Sequence, residues 1–306
     1  MRKTPVQLAL MLPLAIALAA CHREPSGPRT AFDGQAALAL VKTQLDFGPR
    51  VPGTPAHHEE GDWIVARMKP LADTVIEQRW VHVTAKGDSL PMRNVLARFR
   101  PQDPNRVLYL THWDTRPLSD GSADTAQWKL PIPGANDGAS GVAMFIALGE
   151  ALKKTPPTVG VDLLFVDGED YGDFNTNTDV LIGSTYFASH LPTPGYQPLY
   201  GVLWDMIGDR DLDIYEEGNS LRDAPEVVSL VWRTAADLGY SRYFIPAPGD
   251  YIVDDHVPLL KAGLHVIDVI DFSYPWHHTQ QDTFDKVSAH SLQVVGDVAM
   301  KLVTGK

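Results

Sequence analysis

The chain has 306 residues, 44% of them hydrophobic and 21% charged, which suits a soluble globular protein and allows a sizeable core. Its 26 basic and 38 acidic residues give a net charge of −12. That balance argues against nucleic acid as a partner, because gripping a phosphate backbone needs a basic face.

At the N-terminus, Arg2 and Lys3 precede an apolar run from Leu8 to Ala20. The run is too short for a membrane-spanning helix and reads as a secretory signal over residues 1–20. It closes on Leu18-Ala19-Ala20-Cys21, which resembles the lipobox of bacterial lipoproteins, where small residues precede a Cys that is cleaved and lipidated. Cys21 is the only cysteine, so no disulfide can form within the chain. The expectation is an exported protein, lipid-anchored to a bacterial membrane and facing the periplasm or cell surface. The alternative is an ordinary signal peptide with an incidental Cys. Residues 21–32 are polar and hold two prolines, as a lipidated Cys and tether would. Residues 33–306 read as one domain, since no composition shift divides them.

Asp33 is placed to cap a helix over Gly34–Leu45, and Thr54-Pro55 to open another that runs to Met68. Apolar runs at Val95–Phe99, Val107–Leu110, Leu163–Val166, Val202–Trp204 and Val266–Ile270 predict strands. Helical spacing covers Ala139–Leu152, Glu226–Leu238 and Ala289–Leu302. Strands alternating with helices predict a single-domain α/β three-layer sandwich with a mixed, mostly parallel central sheet. Ligand sites in such folds lie beyond the carboxyl ends of the strands. The polar clusters fall there: His112 and Asp114 after one strand, Glu169 and Asp170 after another, Asp205 after a third, and Asp271 through His278 after the last.

Catalytic zinc takes three ligands from His, Asp and Glu, with a further carboxylate nearby to move protons. His112, Asp114, Asp137, Glu169, Asp170, Asp205, Asp254, Asp255, His256, His277 and His278 supply candidates, each weak alone. Glu169-Asp170 is the stronger signal, because adjacent acids after an apolar strand repel unless a cation compensates. Asp137 precedes the Ala139 helix and could either cap it or bind a metal; spacing does not separate the two.

Several motifs resemble those of the zinc aminopeptidase and glutaminyl cyclase superfamily, in particular its bacterial branch, and they stand in the family's order. They are Thr111-His112-Trp113-Asp114, Gly134-Ala135-Asn136-Asp137-Gly138-Ala139-Ser140-Gly141 and Phe165-Val166-Asp167-Gly168-Glu169-Asp170, then Leu203-Trp204-Asp205-Met206-Ile207-Gly208, Asp254-Asp255-His256-Val257-Pro258-Leu259, and Trp276-His277-His278-Thr279. The resemblance implies a zinc exopeptidase-like fold and one zinc per chain, held by Asp137, Asp170 and His278, with Glu169 as general base and acid. In two-metal aminopeptidases His112 and Asp205 match ligands of a second zinc, bridged by Asp137. In the cyclases Asp205 and Asp254 instead form an acid network beside Glu169. Asp170 departs from the more usual Glu of the family.

The first acid of Asp254-Asp255-His256 and the aromatic Trp276 favour the cyclase, with Trp276 expected to wall a pocket for a Gln side chain. The cyclases' other pocket Trp has no match, and Phe174 or Tyr171 is the candidate substitute. The expected activity is conversion of N-terminal Gln of peptides or proteins to pyroglutamate with release of ammonia, by a monomer. A zinc aminopeptidase is the alternative, and a non-catalytic binding lipoprotein a third reading, against which an intact Glu169 argues.

Overall fold

The computed structural model describes residues 30–305, so the expected signal sequence and Cys21 lie outside the described residues. No helix among the described residues is long and apolar enough to cross a membrane. Within the stretch expected to be a tether, the described residues Thr30 and Phe32 pack against the domain. The Thr30 hydroxyl donates to Asp297, and Phe32 is buried over Gly296, where even a Cβ would strike its ring.

Asp33 caps α1 (Gly34–Leu45) by accepting from Gln35 and Ala36, and Thr54 caps α2 (Pro55–Met68) by accepting from His57. A hairpin follows, of β1 (Thr74–Val83) and β2 (Ser89–Phe99). The remaining sheet strands are β3 (Arg106–His112), β4 (Gly160–Val166), β5 (Tyr200–Asp205) and β8 (Val266–Ile270). In the order β1-β2-β4-β3-β5-β8 they make a six-stranded sheet, in which β4, β3, β5 and β8 are mutually parallel and the β1–β2 edge is antiparallel. A small parallel pair, β6 (Ile214–Glu216) and β7 (Phe244–Pro248), stands apart.

Strand alternation divides the core into two layers. Val107, Tyr109, Leu163 and Phe165 pack under α1, α3 (Ala139–Lys154) and α8 (Ala289–Thr304). Leu108, Leu110, Leu164 and Val166 face α4 (Ile182–Ser189) and α7 (His256–Lys261). The central strands are therefore apolar on both faces, as a covered parallel sheet requires. Asp162 is the exception within β4; its buried carboxylate accepts from Arg98, Arg106 and the Tyr196 hydroxyl, which compensate its charge. The helices α5 (Gly218–Asp223) and α6 (Pro225–Asp237) complete the fold.

Candidate metal and catalytic site

The carboxyl ends of β3, β4, β5 and β8 deliver the polar clusters to one place, as the fold class predicts. His112 ends β3, fully buried. Its Nε2 lies 3.2 Å from Asp137 Oδ1 and 3.0 Å from Asp205 Oδ1, and its Nδ1 is 3.7 Å from Asp114. The ambiguity over Asp137 resolves here. Gly138, at φ +94, occupies the cap position of α3, and no side chain caps it. Asp137 is thus free for other work, and its backbone N–H is held by Asp282, which also accepts from Asn136 and Tyr274.

Asp114 holds the loop after β4. Its carboxylate accepts the backbone N–H groups of Gly168, Glu169 and Asp170 at 2.8, 3.0 and 3.2 Å. Asp170 Oδ1 then meets the Arg116 guanidinium at 2.9 Å and His278 Nε2 at 3.2 Å. Arg116 also clamps Asp120 through two bonds of 2.7 Å. His278 sits at φ +55, a left-handed conformation that an L-residue adopts only where its surroundings enforce it. His277 is beside it, 4.0 Å from Asp137, and burial with the neighbouring His278 pushes its ring down to about 3, leaving it neutral.

These donors suit a dication. Asp137 Oδ2 and Asp170 Oδ2 are both buried without a hydrogen-bond partner, and His278 Nε2 lies 3.7 Å from the first. Among the described residues, two groups of donors could each hold an ion: Asp137 with His277 and His278, and His112 with Asp137 and Asp205. Asp137 is common to both. Burial would push Asp137 up, but His112 and His278 hold it well below the usual carboxylate range. It stays anionic, as a ligand must.

Beside the donors lies a cavity of about 310 Å³, walled by Phe174, Ile252 and Phe272 and floored by Glu169, Asp205 and Asp254. Burial, then Asp254, then Asp170 push Glu169 well above an ordinary glutamate. Burial and the charge of Asp205 do the same to Asp254. Asp137, Glu169, Asp170, Asp205 and His278 thus converge with Asp254 at one site. Trp276 is not among the lining residues. It packs on Met206, Ile252 and Tyr274, with the Lys286 ammonium 4.8 Å over its ring, and Phe272 supplies the aromatic wall instead. Of the two candidate substitutes for the missing Trp, Phe174 lines the cavity while Tyr171 packs against Leu90, Met92 and Ile182. Arg116 and Asp120 were not singled out in the sequence; Arg116 stands two residues after the Trp113-Asp114 motif, which was the available signal.

The model of peptidase family M28 matches residues 94–303. A Porphyromonas gingivalis glutaminyl cyclase structure is 36% identical at a TM-score of 0.86, covering 89% of this chain and 98% of that one. A leucine aminopeptidase precursor from Bacteroides thetaiotaomicron is 33% identical at the same TM-score, with coverages of 90% and 98%. Aminopeptidase YwaD of Bacillus subtilis is 24% identical over 288 residues, and the chain spans 57% of its length. Fold, donor set and matches agree: the chain belongs to peptidase family M28, a family of zinc-dependent enzymes.

Proposed function

We propose that the protein is a glutaminyl-peptide cyclotransferase, closing the N-terminal Gln of peptides or proteins into pyroglutamate and releasing ammonia. The observation that carries this reading is Asp254, a second buried acid in the cavity of Glu169 and the largest charge acting on it. An acid that merely pairs with a substrate's α-ammonium is best kept fully ionised, hence low. Ring closure makes that nitrogen the nucleophile, so the acids beside it must exchange protons with it. Carboxyls pushed up by burial and by each other's charge are suited to this. The full-length likeness to bacterial glutaminyl cyclases supports the same reading.

Zinc held by Asp137, Asp170 and His278 would polarise the side-chain carbonyl of the substrate Gln. Glu169 takes a proton from the α-amine as its nitrogen bonds to the side-chain amide carbon. The bond from that carbon to the amide nitrogen breaks, and Glu169 returns the proton to the departing ammonia. Phe174, Ile252 and Phe272 keep out the water that would otherwise hydrolyse the amide.

One observation favours a zinc aminopeptidase instead: His112 with Asp137 and Asp205 forms a second group able to hold a metal. The two readings separate when ammonia release from a Gln-initiated dipeptide is measured beside cleavage of a Leu-initiated chromogenic amide. Ammonia without Leu-amide cleavage supports the cyclase; cleavage without ammonia replaces it with the aminopeptidase. We also propose export and lipid anchoring at Cys21, on the pattern of residues 8–21; Cys21→Ser should move the protein from the membrane fraction to the soluble one.

A further inference from the structure

The mouth of the catalytic cavity carries more apolar surface than the chemistry above uses. Tyr251, Val253 and Phe272 line that cavity while remaining 69%, 45% and 45% exposed. Single exposed hydrophobic residues are ordinary, but several gathered around one opening mark a place where an apolar ligand settles. Tyr251 and Val253 come from the stretch between β7 and α7, and Phe272 from the loop after β8. Phe272 also borders a smaller cavity of about 160 Å³, lined in turn by the exposed Tyr215, so the apolar surface continues past the mouth. The segment around Tyr251 is also held still. The Gly218 N–H donates to the Asp250 carbonyl at 2.8 Å, the Ile252 N–H to the Glu217 carboxylate at 2.9 Å, and the Asn219 side-chain amide to the Ile252 carbonyl at 2.7 Å. Tyr251 stands between these anchors. Its ring rests on Gly218, where a Cβ would come within 2.8 Å of the ring carbons. The start of α5 thus fixes an exposed apolar segment before any ligand arrives, which lowers the ordering cost of binding.

We propose that Tyr251, Val253 and Phe272 form a subsite for the second residue of the substrate, and that it takes a large apolar side chain such as Leu or Phe. This rests on the cyclase reading, which fixes how the peptide lies. With the Gln side chain toward the metal ligands and the α-amine at Glu169, the chain can continue only from the Gln carbonyl carbon. The floor is closed by the buried Glu169, Asp205 and Asp254, so the second residue emerges at the mouth, beside the apolar rim. Its side chain takes no part in ring closure. Its contacts are therefore the same in the bound substrate and in the transition state, and they act on KM rather than on kcat.

The test compares Gln-Leu amide with Gln-Asn amide, whose second side chains match in size and branching but differ in polarity, by ammonia release from the zinc-loaded protein. Expected is a KM about tenfold lower for the Leu substrate at similar kcat, the lower end of what burying a Leu side chain supplies. Tyr251→Ser combined with Val253→Ser should bring the two KM values together. Both substrates are read on one preparation, so a partly unfolded variant leaves the comparison intact. Should the double variant not fold, Tyr251→Ser decides. Leu199→Ser, at an exposed position by the opposite end of β5, should keep the wild-type preference. Equal KM values in wild type, or a preference that survives the loss of Tyr251 and Val253, overturn the subsite alone. A wild type that releases ammonia from neither substrate overturns the cyclase reading and the subsite with it.

Discussion

Asp114→Asn removes one charge and one acceptor from beneath the loop that carries Glu169 and Asp170. Asp114 Oδ1 accepts from Gly168 and Glu169, and Oδ2 from Asp170. An Asn in the same rotamer keeps the first two bonds and turns an NH₂ toward the Asp170 N–H, so two donors face each other. A lost hydrogen bond to a charged acceptor costs about 1.5–3 kcal/mol. At about 2 °C per kcal/mol for a domain of this size, the Tm of metal-free protein should fall on the order of 3–6 °C. On the ligand set proposed above, the displaced residue Asp170 holds the metal, so zinc affinity should fall about 10–100-fold, as is usual when support behind a ligand is lost. Calorimetry on metal-free protein and competition with a chromogenic chelator read the two effects. A metal-free Tm equal to wild type, with unchanged zinc affinity, would refute the view that Asp114 holds this loop.

Glu169→Gln should lower turnover about 10²–10⁴-fold while bound zinc, read by atomic absorption, stays at the wild-type level; loss of the metal would place Glu169 among the ligands instead. Gly141→Ala should destabilise by about 1–3 kcal/mol, because its Cβ would meet Thr111 Oγ1 at 1.9 Å and the Trp204 carbonyl at 2.8 Å; an unchanged urea midpoint would mean that α3 can back away from the sheet. Asp255, raised from 3.8 to about 7 chiefly by burial, holds its proton more tightly folded than unfolded. The stability this gives is full below about pH 4 and is lost as pH rises through 7, on the order of 4 kcal/mol. Asp255→Asn should therefore gain on wild type between pH 5 and pH 9 in urea unfolding, and an equal difference at both pH values would contradict the assignment.

The sheet's centre could be read from sequence because β3, β4, β5 and β8 are buried on both faces, which forces apolar runs. The edge could not. In β1, Val81 and Val83 are exposed and Glu77 and Arg79 interrupt, so no run marks the strand. The helices α4, α5 and α7 are too short for periodicity to register. At the site, the motifs located the acids and histidines of the cavity and donor groups but not Asp120, and they assigned no role to Asp114 and none to Arg116. Apart from Asp120, bonded to Arg116 from four residues on, their site partners are backbone N–H groups and a carboxylate more than fifty residues away, brought near only by the β3–β4 pairing. Trp276 and Phe272 changed places for a related reason. Which side chain of the Asp271–His278 loop faces the cavity follows from its tight turns and from the positive φ of His278, and no residue pattern encodes that choice.

The central claim is tested most directly by mass spectrometry of a Gln-initiated peptide incubated with the zinc-loaded protein. The account predicts a product lighter by one ammonia, with every residue retained and its N-terminus blocked to Edman degradation. A product lacking the first residue, alongside free glutamine, would contradict it and make the protein an aminopeptidase.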